Sequence, residues 1–217
     1  MKVINLAGTD SVLHTFIAQI RDRKVQKDRM RFRRNLVRVG QVFGYEISKT
    51  MKYSLKEVTT PLATAMVSTY DDKVVVASIL RAGLPLQEGL LEFFDDAESA
   101  FVAAYRKYDS DGEFNIRSEY CTCPSLEGKT LILADTMIAT GSSVEVALEI
   151  LRARGGDPDR IHLVCPVASS NAIEFLSKHC PDNVTLWIAA EDPELTNHSF
   201  VIPGLGDAGD LAYGDKI

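Results

Sequence analysis

From residue 73 onward, short and nearly continuous apolar runs alternate with stretches of helical spacing. This alternation admits few folds. Residues 74–80, 100–104, 130–134, 161–167 and 184–190 read as strands buried on both faces. Residues 84–94, 143–154 and 170–179 read as the helices between them. Buried strands that alternate with helices indicate a parallel sheet covered on both sides. The expected fold class is therefore α/β, a parallel β-sheet flanked by helices. With 217 residues, 46% of them hydrophobic, the chain can bury a real core, and it reads as a single domain over residues 1–217.

Three regions stand outside this rhythm. The N-terminal third reads as helical: Phe32, Leu36, Val39, Phe43 and Ile47 fall on one helical face, and Arg31, Arg33, Arg34 and Arg38 lie between them as a solvated basic face. Residues 105–126 are polar and mixed, and Asp111-Gly112 is a hairpin turn signal, so a two-stranded flap is expected there. Residues 191–217 are rich in Gly, Pro and Asp, with Ile202, Leu205 and Leu211 available to anchor an ordered C-terminal cap.

Charge and cysteine usage exclude several classes. A net charge of −6 disfavours a nucleic-acid binder. Cys121, Cys123, Cys165 and Cys180 lack the spacing of a four-ligand metal site and read as free thiols of a reducing compartment. No leader-like segment or membrane-length apolar run appears, so a cytoplasmic protein without membrane contacts is expected. His14, His162, His179 and His198 are scattered and read as non-catalytic.

The most informative segment is 131–143, LILADTMIATGSS. A buried strand ends at Asp135, a loop of small residues follows, and a helix begins. Ser142 and Glu145 fit a capping box there. The carboxyl end of a parallel strand opens on the ligand crevice of such sheets, and a helix start offers free N–H groups and a positive dipole end. Gly141 lets an anion approach the backbone, and Thr140, Ser142 and Ser143 add hydroxyl donors. The loop has neither the lysine of an ATP-binding P-loop nor the GxGxxG spacing of a dinucleotide fold.

This segment resembles the phosphoribosyl-pyrophosphate motif of type I phosphoribosyltransferases. The single acid, Asp135, followed by Met137 and Ala139-Thr140-Gly141, is most similar to the uracil phosphoribosyltransferase family. Thr136 and Ser142 stand where that family usually has Pro and Gly. Residues 79–84 (ILRAGL) resemble the family's pyrophosphate loop, Tyr105-Arg106 the start of its flap, and residues 201–210 (VIPGLGDAGD) its uracil-recognition segment. Phe32-Arg33, Gly40 and Tyr45-Glu46 also fit, and Phe200 replaces a common Tyr.

The resemblance implies transfer of 5-phosphoribosyl from phosphoribosyl pyrophosphate to uracil, giving UMP and diphosphate. It assigns the donor to Arg81, Arg106, Asp135, Thr136, Met137, Ile138, Ala139, Thr140, Gly141, Ser142, Ser143 and Asp207. It assigns uracil to Val201, Gly206, Asp207 and Ala208, and the catalytic roles to Asp207, Arg106 and Asp135. Mg²⁺ would arrive bound through the donor, with no protein ligand set. The family implies a homodimer or higher homo-oligomer, and some relatives are activated by GTP. Rival readings are a ligand sensor, an inactive homologue, and an enzyme for another base.

Overall fold

The computed structural model describes residues 1–108 and 114–215, and only the backbone within 104–119. Strand β1 (Lys2–Asn5) leads into helices α1 (Val12–Arg21) and α2 (Arg29–Ser48). Strands β2 (Tyr53–Thr59) and β3 (Thr64–Tyr70) form a separate antiparallel hairpin. There follow β4 (Val74–Ile79), α3 (Leu84–Leu91), β5 (Glu98–Tyr108), β6 (Phe114–Thr122), β7 (Thr130–Ala134) and β8 (Met137–Ile138). The chain continues through α4 (Ser142–Gly155), β9 (Arg160–Ser169), α5 (Ser170–His179), β10 (Val184–Asp192), β11 (Glu194–Leu195), β12 (Val201–Ile202) and α6 (Ala208–Tyr213).

The main sheet runs β1-β10-β9-β7-β4-β5-β6, with β8 beside β9. Its pairings are parallel except for β5 with β6. The central strands β4 and β7 are buried along their whole length, as their unbroken apolar sequences require. On one face Val74 and Val76 pack with Leu13 of α1, Phe32 and Phe43 of α2, and Leu86 of α3. On the other, Val75 and Ala77 pack with Leu148 and Leu151 of α4 and Leu176 of α5. After β4 the chain crosses through α3 to β5 on one side. After β7 it crosses through α4 to β9 on the other. The β4/β7 boundary is thus the topological switch point, where a crevice opens outside the strand ends.

Two parts of the N-terminal third depart from the all-helical expectation. Residues 2–5 are a short edge strand on β10, largely exposed, so their composition carries little pattern. Residues 53–70 form the β2–β3 hairpin, in which β2 is exposed throughout. With no buried face, it has no in–out period to read. The expected helix stripe holds: Phe32, Leu36, Val39, Phe43 and Ile47 are buried. The basic face is only partly solvated, because Arg33 donates to the Ala212 carbonyl and Arg38 donates to Asn35. The expected flap exists as β5 paired with β6 out to Tyr108 and Phe114; its turn lies outside the described residues. Among the described residues no helix is long and apolar enough to cross a membrane.

His162 on β9 makes stability depend on pH. It is 4% exposed, and its Nδ1 accepts from Trp187 Nε1 at 3.0 Å while Nε2 has no partner among the described residues. Burial, then the nearby Arg160 guanidinium, push its pKa down to about 4. The folded value lies below the ordinary 6.5, so this stability is present above about pH 6.5 and is lost as pH falls toward 4. The full loss is about 3–4 kcal/mol at about 1.4 kcal/mol per pH unit. Urea unfolding at pH 7 and pH 4.5 should show a drop that His162→Gln reduces.

Candidate active site

The crevice is built by the two loops that leave the switch point. After β7, the Asp135 N–H donates to the Val164 carbonyl at 3.0 Å, and β8 then pairs with Val167 and Ala168 of β9. Ser169 Oγ donates to the Ala139 carbonyl at 2.5 Å. The loop is therefore pinned along β9 before α4 begins. Gly141 has φ +86°, and a Cβ there would come within 2.8 Å of Phe175 Cδ1, so only glycine fits. A cavity of about 100 Å³ is lined by Asp135, Met137, Ile138, Ala139, Thr140, Gly141, Ser143 and Val144. That is room for about three waters. Thr136 is buried at 1% exposure and lies behind the lining. The expected capping box does not form. Gly141 is the cap and makes no side-chain bond, while the Ser142 hydroxyl lies 2.9 Å from that of Thr140. The positive end of α4 therefore faces the cavity, with Glu145 as the acidic residue of its first turn.

Asp135 stands at the base of this loop. Its carboxylate accepts the Thr136 N–H at 2.7 Å. Burial raises its pKa to about 7, against the opposing pull of the Thr136 and Met137 N–H groups. Among the described residues no three His, Cys, Asp or Glu side chains cluster to hold a metal.

Arg81 leaves the end of β4. A Cβ on Gly83 would lie 2.5 Å from the Ala134 carbonyl oxygen, which shows how closely this loop abuts the start of the Asp135 loop. Arg81 Nη2 pairs with Asp210 Oδ1 at 2.8 Å, and Nη1 donates to the Gly214 carbonyl at 3.3 Å. Asp210 is a residue that sequence reasoning missed. Arg106 lies on β5, which pairs with β4, but its side chain lies outside the described residues.

The C-terminal segment closes over Arg81 as a hood. Val201 on β12 and Ala208 on α6 are each 6% exposed, Gly206 has φ +95°, and Asp207 Oδ1 caps α6 by accepting the Asp210 N–H at 3.0 Å. Leu205 is buried as expected, whereas Ile202 is 41% exposed and anchors nothing. Among the described residues, Arg21, Gln26 and Arg33 tie the hood to the N-terminal segment. Arg21 forks onto Asp192 at 2.9 and 3.0 Å, and Asp192 also accepts the Gly204 N–H at 2.9 Å. Gln26 Nε2 donates to the Leu205 carbonyl at 3.0 Å. Arg33 donates to the Ala212 carbonyl at 2.6 Å and lies over the Tyr213 ring. A cavity of about 410 Å³ separates Lys27 and Arg29 from Asp207 and Asp210. A larger one, about 610 Å³, sits by Lys73 and Val74 at the amino end of β4, away from the switch point.

A glycine-capped loop that opens a helix at the switch point of a parallel sheet defines the class: an α/β protein whose ligand crevice lies outside the strand ends. Comparison with known proteins narrows this. A family model described as uracil phosphoribosyltransferase matches residues 8–215. A uracil phosphoribosyltransferase of Porphyromonas gingivalis is 50% identical over 217 residues, covering all of both chains. One from Pyrobaculum arsenaticum is 40% identical over 185 residues, 84% of this chain and 86% of the other. The solved structure of the AQ2163 protein from Aquifex aeolicus superposes with a TM-score of 0.85 at 26% identity, covering 99% of each. The chain belongs to the uracil phosphoribosyltransferase family, and it is an enzyme of the pentosyltransferase class.

Proposed function

We propose that this chain transfers the phosphoribosyl group of phosphoribosyl pyrophosphate to uracil. The observation that carries this reading is the meeting of three elements at one switch point: the Asp135 loop, Arg81 and the Gly-rich hood. A ring nitrogen of uracil attacks C1 of the ribose as the C1–O bond to pyrophosphate breaks. The ring N–H proton is lost, and pyrophosphate leaves with the bonding pair. The transition state is a ribosyl oxocarbenium-like cation, so binding, alignment and charge placement carry the catalysis.

In this reading the 5-phosphate enters the 100 Å³ cavity at the start of α4. The hydroxyls of Thr140 and Ser143 and the loop N–H groups meet it, and Asp135 accepts the ribose hydroxyls. The Arg81 guanidinium takes the pyrophosphate, which it can hold through paired N–H donors, with Arg106 of the flap as a second cation. The hood reads uracil through backbone groups around Val201, Gly206, Asp207 and Ala208. Among the described residues, Asp135 is the one carboxylate lining the phosphate cavity. That donor set suits Mg²⁺ brought in on ribose and pyrophosphate oxygens rather than caged by protein, and the ion would neutralise donor charge. GTP as an activator is a proposal taken from the family.

The reaction is tested by incubating labelled uracil with phosphoribosyl pyrophosphate and Mg²⁺: UMP and pyrophosphate should form in equal amounts. The role of Asp135 is tested by pH. An ionised Asp135 accepts hydroxyl donors, and burial raises its pKa to about 7. The kcat/KM for the donor should therefore rise through neutral pH. Asp135→Asn should lower it and remove that limb, leaving the donor's own ionisation.

We also read the protein as a homodimer or larger assembly. The β2–β3 hairpin supports this, since Leu55, Leu62 and Met66 are 67%, 97% and 60% exposed, and a two-stranded hairpin is marginal alone in water. The four free thiols support a cytoplasmic setting.

A further inference from the structure

We propose that Asp210 is a positioning residue: it latches the hood to Arg81 when no donor is bound, and the donor's pyrophosphate displaces it. This rests on the reading that Arg81 receives pyrophosphate. In the present structure a carboxylate and a backbone carbonyl, both from the C-terminal segment, already occupy that guanidinium. Asp210 Oδ1 lies 2.8 Å from Nη2, and the Gly214 carbonyl lies 3.3 Å from Nη1. Carboxylate and phosphate oxygens suit the same guanidinium geometry. A single carboxylate and a multiply charged pyrophosphate on one fork repel each other, and the pyrophosphate carries the larger charge.

The other ties of the hood do not involve this guanidinium. Arg21 with Asp192, Gln26 with Leu205 and Arg33 with Ala212 all bind other atoms. Losing the Arg81 contact therefore frees one end of α6 and leaves the hood attached. Those three ties end on backbone carbonyls or on a buried carboxylate. The Asp210 side chain is 30% exposed and Arg81 is 39% exposed, so this pair can exchange partners in water. The release also has a route to the base. The Asp210 N–H donates to Asp207 Oδ1, and Asp207 begins the turn assigned to uracil. Arrival of pyrophosphate on Arg81 thus reaches the uracil-reading residues through one turn of helix.

The test uses inorganic pyrophosphate with Mg²⁺ as the probe, measured by calorimetry on the full chain without uracil. Asp210→Asn keeps size and hydrogen bonding but removes the competing charge. It should bind pyrophosphate about 3- to 5-fold more tightly, the range of a partly exposed ion pair, and lower KM for the donor without raising kcat. Asp210→Glu restores the carboxylate and should bind pyrophosphate as the wild type does. A variant that merely loosened the hood would bind less tightly. Wild-type binding with an unchanged or weaker affinity in Asp210→Asn would overturn the latch and leave Arg81 on pyrophosphate. Wild-type protein that does not bind pyrophosphate would overturn the latch together with the assignment of Arg81 beneath it.

Discussion

Arg81→Ala is expected to lower kcat/KM for phosphoribosyl pyrophosphate by about 10²–10³-fold, the scale on which one preorganised electrostatic contact to a developing charge acts. The reason is positional. Arg81 stands at the end of β4, beside the loop that leaves β7, so in the proposed reading its charge lies where the bond to pyrophosphate breaks. A lysine would keep the charge but lose the planar fork, so Arg81→Lys should fall between wild type and alanine. Stability should change little. The alanine variant gives up a partly exposed ion pair and one long hydrogen bond to Gly214, and pairs of that kind contribute about 1 kcal/mol or less. Steady-state kinetics beside a melting curve separates the two effects. A tenfold loss of activity with a large fall in Tm would mean that Arg81 is a strut of the hood.

Asp192→Ala is expected to do the reverse and act on stability first. The Asp192 side chain is 5% exposed, and it accepts both arms of Arg21 and the Gly204 N–H. Removing it leaves a charged side chain and a backbone donor without their acceptor. Breaking one side of a buried pair costs about 3–5 kcal/mol, and the 20% exposure of Arg21 puts this case at the lower end. For a chain of this size, a loss of about 3 kcal/mol lowers Tm by about 6–12 °C. Arg21→Met combined with Asp192→Leu removes both charges and should be less destabilised than Asp192→Ala alone. It still lacks the acceptor for Gly204, so KM for uracil should rise in both. Equal Tm values for the single and double variants would contradict the pairing.

How much of this was legible in the sequence follows from the range of each interaction. The apolar runs of β4 and β7 announce burial on both faces, and α5 occupies 170–179 as its spacing indicates. The strand–loop–helix turn at 130–143 was readable because its signals are local: an acid at a strand end, a glycine and hydroxyls within a few residues. The β2–β3 hairpin was not, because β2 is exposed throughout and β3 meets the core only at its end, through Tyr70. The capping box at Ser142 was plausible by spacing. It lost to a glycine cap, because the chain turns through positive φ at Gly141 to reach α4. Asp210, Asp192 and Gln26 were missed for another reason. Arg21 and Asp192 are 171 residues apart, and Arg81 and Asp210 are 129 apart. No local pattern marks such pairs; they appear only once the sheet brings the N-terminal helices beside the C-terminal hood. The Arg31–Arg38 face shows both outcomes: Arg31 and Arg34 are exposed as expected, while Arg33 is committed to the hood.

The central assignment is that the hood reads uracil while the β7 loop and Arg81 hold the donor. Its most direct test is a competition assay in which wild-type protein receives phosphoribosyl pyrophosphate, Mg²⁺ and equal uracil, cytosine and hypoxanthine. Backbone donors and acceptors placed for uracil would be left unpaired by the other two bases. Nucleotide should therefore form from uracil alone, and Asp207→Asn should lose most of that turnover while remaining folded. Turnover of hypoxanthine or cytosine at a comparable rate would contradict the assignment of the hood. Binding of uracil with no nucleotide formed from any base would contradict the transfer reaction itself.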